Sequence, residues 1–114
     1  MNRTNTIYLD GNLTHDPIFH TAGDGTKVSK CFFSIIANRE NGKVVKIPCV
    51  AWDDLADYIM KIATKGTYVY LEGELNSRSL EKDGNSYLSV EIVVKKVSHY
   101  RASTGYYKQA KEDL

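Results

Sequence analysis

The sequence predicts an all-β domain with one helix, closed as a five-stranded Greek-key barrel. Three observations carry that expectation. Five runs are rich in β-forming residues. A single segment has helical periodicity, and it falls between the third and fourth runs. Two pairs, Asn41-Gly42 and Asp83-Gly84, stand where tight hairpin turns would join neighbouring strands.

The first strand is expected over 6–13, with Ile7 and Leu9 on one face and a glycine at Gly11. A loop over 14–26 carries Pro17, Gly23 and Gly25. The second strand, 27–38, is apolar on both faces through Phe32, Phe33, Ile35 and Ile36. One buried barrel face does not require this, so the outward pair is expected to cover a second subunit, or else to line a site for bases. Asn41-Gly42 turns the chain into the third strand, 44–52, where Pro48 cannot donate to a ladder and so marks an edge or a bulge. Asp53 and Asp54 occupy the expected cap of the helix, where carboxylates accept orphan N–H groups and meet the positive end of the helix dipole. Leu55, Tyr58, Ile59 and Ile62 form one apolar face, and Gly66 is expected to close the helix in a left-handed conformation. The fourth strand is expected over 67–75, with Tyr68 and Tyr70 on one face, as core or subunit packing. The fifth follows the turn at Asp83-Gly84 and spans 86–97, with Leu88, Val90, Ile92 and Val94 aligned. The resulting order, β-β-β-α-β-β, is that of the OB-fold.

A chain of 114 residues accommodates one domain, taken as 1–100, followed by a short tail over 101–114. Fifteen Lys and Arg against fourteen Asp and Glu give a net charge of +1, so a polyanion would have to be met by a local cluster of cations or by stacking. Cys31 and Cys49 lack the spacing of a metal or disulfide framework and read as buried, reduced thiols. No apolar run approaches the length of a membrane span, and the N-terminus has no apolar signal core, so a cytoplasmic protein is expected. A phosphate-cradling glycine loop and a nucleophile elbow are both absent, and the acidic residues are scattered. Neither an enzyme nor a cofactor is expected.

Several fragments, in order, resemble the bacterial and phage single-stranded DNA-binding protein family. They are Gly11-Asn12-Leu13-Thr14 with Asp16-Pro17, Phe33-Ser34-Ile35 leading to Asn38-Arg39, Cys49-Val50-Ala51-Trp52 with Leu55-Ala56, Lys65-Gly66, Val69-Tyr70-Leu71-Glu72-Gly73, and Arg78-Ser79. The resemblance covers about 5–97 and implies an OB barrel that stacks bases on aromatics and holds phosphates with Lys and Arg. It implies a homo-oligomer, a tetramer with a dimer as the alternative. By position, Trp52 looks like a stacking aromatic, Lys65 and Arg78 like backbone-binding cations, and Arg39 and Lys43 like part of a hairpin that wraps the strand. Lys46, six residues before Trp52, falls on the same strand face, as an ammonium beside the indole.

The sequence departs from the family pattern at Lys46 and Leu80, which stand where aromatics are usual, and at Asp54, where Lys is common. It shows no long Gly/Pro/Gln-rich linker and no acidic tip, which argues against recruiting repair proteins through such a tip. His15, Asp16 and His20 lie close enough in sequence to suggest metal ligands, but loops resembling this one carry Asp-Pro without metal chemistry, and no metal is expected. The function expected is sequence-nonspecific binding of single-stranded DNA in replication, recombination or repair. The alternative is an OB-fold interaction module, a primosomal or mobile-element accessory, with weak nucleic-acid binding.

Overall fold

The computed structural model describes residues 4–21 and 28–100, without the side chains of His99 and Tyr100. Six strands and one helix follow in the order β1 (Ile7–Leu13), β2 (Ile18–Thr21), β3 (Ser29–Asn38), β4 (Val44–Trp52), α1 (Asp53–Ile62), β5 (Tyr68–Lys82) and β6 (Asn85–Tyr100). The sheet runs β1-β5-β6-β4-β3-β2, and β1 returns to β3 to close the barrel. Every neighbouring pair is antiparallel except β4–β6. The five expected strands are all present. The sixth, β2, adds an edge to β3 within the segment expected to be loop.

Closure depends on β1 changing partners. Ile7 to Asn12 pair with β5, and then Asn12 and Leu13 pair with Ile36 and Ile35 of β3. At the crossing the two backbones nearly touch, since a Cβ on Gly11 would lie 2.3 Å from the carbonyl oxygen of Ile36. Only glycine fits there.

Alternation along β3 sorts its side chains, whereas β4 buries three in a row, Cys49, Val50 and Ala51. Cys31, Phe33 and Ile35 from β3, with Cys49 and Ala51 from β4, are buried in the barrel beside Val69, Leu71, Ile92 and Val94. The helix covers one end of this core with Ala56, Ile59 and Ala63. Fully burying a side chain such as Ile59 or Leu71 contributes about 1.5–3 kcal/mol. The buried helix face is thus centred one position away from the expected one, and Tyr58 is left exposed.

The helix ends also differ from expectation. Trp52, in extended conformation, is the N-cap, with no side-chain cap bond. Asp53 and Asp54 are already in the first turn, so they act on the dipole and not as caps. Asp53 adopts φ 55°, the left-handed region, at the sharp exit from β4. At the other end Ala63 closes the helix in extended conformation and donates to Ile59. Gly66 does have φ 90°, but within the following turn, where Thr67 N–H donates to the Thr64 carbonyl.

Both hairpin turns form. The first is wider than two residues: Arg39 and Lys43 close it, and Gly42 has φ 79°. In the second, Asp83 and Gly84 both have positive φ, which matches the twist of the flanking strands. That turn pins a ladder pairing Lys82 with Asn85 and continuing back past Leu75, so β5 and β6 outrun their expected ends. Beyond Gly73 this arm leaves the barrel, and residues on its inward side, Leu75 and Leu88 among them, become exposed. Pro48 lies on a stretch of β4 that pairs with β3 alone, an open edge as its chemistry requires.

Candidate nucleic-acid interface

Trp52 ends β4 on its outward face, and the residue is 43% exposed. Directly across on β3 is Lys30, which in turn faces His20 on β2. The Lys30 Nζ lies 4.8 Å from the Trp52 ring centroid and 4.9 Å from that of Phe32, two positions along on the same strand face. A groove of about 250 Å³ is lined by His20, Val28, Lys30 and Trp52. An exposed indole beside a cation can take a stacked base and hold the adjoining phosphate.

Lys46 shares the outward face of β4 with Trp52 and is exposed, as its even spacing requires. Six residues at ~3.3 Å per residue, however, separate the two by roughly 20 Å. Lys46 therefore faces Ile36, and the cation beside the indole is Lys30. Phe32, expected to cover a second subunit or to line a base site, falls on the Trp52 face, which favours the second role.

Arg78 lies on the outward face of β5, paired with Ser89 of β6. Its guanidinium is 3.9 Å from Glu91, whose side chain is only 16% exposed and also accepts a hydrogen bond from Asn76 at 3.3 Å. This cation is thus partly neutralised. Leu80, two residues on, faces Tyr87 across the ladder, and Tyr87 is exposed. An aromatic ring therefore stands beside the position where Leu80 replaces one. Lys30 and Tyr87, neither of them singled out from the sequence, reach this face as the cross-strand partners of Trp52 and Leu80.

Arg39 and Lys43 are exposed at the β3–β4 turn, at the Lys46 end of this face. Lys65 is exposed in the turn after α1, and its backbone N–H donates to Asp16 Oδ1 at 2.7 Å. The ten-residue helix, about 15 Å long, separates it from Trp52. The structure thus sets Trp52, Lys46 and Arg78 on one sheet face with Arg39 and Lys43 at its margin, and it leaves Lys65 at the far end of the helix.

The His15-Asp16-His20 cluster is dispersed. The Asp16 carboxylate holds the turn after the helix, His15 Nδ1 is 2.9 Å from the Asp16 carbonyl oxygen, and His20 belongs to the Trp52 groove. Among the described residues, no group of three or more His, Cys, Asp or Glu is placed to hold a metal ion. Cys31 and Cys49 are free and buried. Burial raises their thiols from 9.0 to about 11 and about 12, and the charge of Glu91 adds to the rise at Cys49. Tyr68 and Tyr70 point outward, toward β1: Tyr68 is half-buried and hydrogen-bonds to Asp10, while Tyr70 is exposed.

A closed barrel capped by a helix, with an exposed indole and scattered cations on one sheet face, defines an OB-fold protein of the nucleic-acid-binding kind. The model of the single-strand binding protein family matches residues 4–100. The single-stranded DNA-binding protein 2 of Chlorobaculum tepidum is 35% identical over 107 residues, which cover 85% of this chain and 71% of that protein. A single-stranded DNA-binding protein of Malacoplasma penetrans is 29% identical over 94 residues, covering 82% of this chain and 50% of that protein. Another, from Onion yellows phytoplasma, is 29% identical over 96 residues, covering 82% of this chain and 90% of that protein. The chain belongs to the single-strand binding protein family.

No helix among the described residues is long and apolar enough to cross a membrane. The expected tail over 101–114 lies outside the described residues.

Proposed function

We propose that this protein binds single-stranded DNA irrespective of base order, in replication, recombination or repair, and that it does so in the cytoplasm without catalysing a reaction. The observation that carries the reading is Trp52: a large aromatic residue left 43% exposed on an open sheet face, with an ammonium against its ring. Stacking on such a ring discriminates little between bases because every base has a π-face, and each stacked base contributes about 1–3 kcal/mol. Lys46, Arg39, Lys43 and Arg78 supply ionic contacts along the same side, and the proposed role of Lys65 requires the strand to continue past the helix. Family membership and the names of the relatives support this reading.

The working form is a homo-oligomer, a tetramer with a dimer as the alternative. One edge of β1 from Ile7 to Asp10 has no ladder partner among the described residues, and Tyr8 beside it is exposed. An open edge of this kind pairs readily with another copy.

A second reading, an interaction module with weak DNA binding, is favoured by the Arg78–Glu91 pair, which spends a cation of the face internally. Binding of labelled oligo-dT to the native chain and to Trp52→Ala separates the two. Loss of one stacking contact weakens binding about 5- to 150-fold. Equal affinity of both forms would place the binding face elsewhere.

A further inference from the structure

We propose that Lys30 governs entry to the Trp52 site. In the free protein its ammonium occupies the stacking position over the indole, and when a base takes that position the ammonium passes to the adjoining phosphate. This rests on the single-stranded DNA reading and assigns a residue and a sequence of contacts within that site.

The geometry gives the argument. The Lys30 Nζ is 4.8 Å from the centroid of Trp52 and 4.9 Å from that of Phe32, so one charge covers part of two aromatic faces at once. Both distances are inside the ~6 Å reach of a cation–π contact. A base stacking on the same face of the indole cannot share that volume with an ammonium. The groove on this side, lined by His20, Val28, Lys30 and Trp52, is about 250 Å³. That is small against the ~300–1,000 Å³ of sites for larger ligands, and it suits a single base. The displaced lysine is tethered within one strand spacing of the indole, since Lys30 and Trp52 are direct cross-strand partners. Its flexible four-carbon stem lets the charge move without moving the backbone, and the nearest new anion is the phosphate that arrives with the base. The covered indole also keeps an exposed ring partly shielded when no strand is bound.

The test follows Trp52 emission, which reports this site alone because the chain has one tryptophan. Oligo-dT is titrated at several salt concentrations into the native protein, Lys30→Gln, Lys30→Arg and, as a control at the exposed end of the helix, Lys61→Gln. The expected result is a salt slope shallower by about 0.7 for Lys30→Gln, with affinity about 8-fold weaker near 50 mM salt. Lys30→Arg and Lys61→Gln keep the native slope. Free Lys30→Gln differs from the native protein in emission, because the charge over the ring is gone, while the DNA-bound forms coincide.

A Lys30→Gln slope within about 0.2 of native would overturn the proposal, as would bound forms whose emission still differs as the free forms do. Either result means that Lys30 stays where it is and the base uses another face. If the native Trp52 does not respond to oligo-dT at all, the single-stranded DNA reading itself has failed.

Discussion

Replacing Glu91 by glutamine removes a carboxylate beside Arg78 on the proposed binding face and should tighten DNA binding. The side chain is 16% exposed, lies 3.9 Å from Arg78 and accepts from Asn76 at 3.3 Å. Glutamine has nearly the same shape and keeps an oxygen for Asn76, so packing is preserved. Two charges at this separation attract by about 1 kcal/mol in water and about 4 kcal/mol at an effective dielectric of 20. Desolvation and side-chain ordering offset most of that, leaving a net of about 0–1 kcal/mol for a pair whose arginine is half-exposed. The stability lost is therefore small. The gain comes from Arg78, released to neutralise a phosphate. One added contact on a single strand steepens the plot of log K against log salt by about 0.7, which is about 8-fold in affinity near 50 mM salt and about 3-fold near 200 mM. Fluorescence anisotropy of labelled oligo-dT across four salt concentrations measures both quantities. Unchanged affinity with an unchanged slope would show that the strand does not run past Arg78, and the face drawn here would be wrong at that end.

Other expectations concern the scaffold. Gly11→Ala places a methyl against the Ile36 carbonyl, 2.3 Å away, and should destabilise the barrel by about 1–3 kcal/mol or more in urea unfolding. Asp16→Ala removes the acceptor for the Lys65 N–H and should cost about 1 kcal/mol by the same assay. Cys31 and Cys49, buried and raised to about 11 and about 12, should resist a thiol reagent near pH 8 until the protein unfolds. Their shifts also set a pH dependence. In the unfolded chain these thiols ionise near 9.0, whereas in the folded protein they hold their protons to about 11 and about 12. The unfolded state therefore binds fewer protons above that lower value. Stability should be flat below pH ~9 from these groups and fall as pH rises toward 11–12, and Cys49→Ser should lessen the fall.

Much of the barrel was legible in the sequence because local chemistry and tertiary placement agree. Asn41-Gly42 and Asp83-Gly84 do form turns with positive φ at glycine, and alternation along β3 separates its buried side chains from the rest. The misses share a physical cause, which is that long-range pairing overrides a weak local signal. Strand β2 is only Ile18–Thr21, without alternation, and exists because β3 supplies its ladder. The polar stretch of β5 beyond Leu75 is held straight by pairing with β6. At the helix start the sharp exit from β4 makes Trp52 the cap and pushes Asp53 into the first turn, an outcome set by the path of the chain.

The candidate site was half legible. Trp52 and Lys46 were placed on one outward face by parity, and the barrel bears this out. Parity along a single strand carries no information about cross-strand neighbours, however, and Lys30 and Tyr87 come to the face through register alone. The neutralisation of Arg78 by Glu91 was hidden for the same reason. Lys65 fits the family pattern but lies across the length of the helix from the indole.

The most direct test of the whole account is emission from the native chain as oligo-dT is added at low and at moderate salt. Saturable quenching is predicted, with a log–log salt slope of about −2 to −4, as 3–5 ionic contacts on a single strand require. Emission that stays constant at low salt, while the folded chain is intact, would contradict the claim that this tryptophan stacks on unpaired DNA.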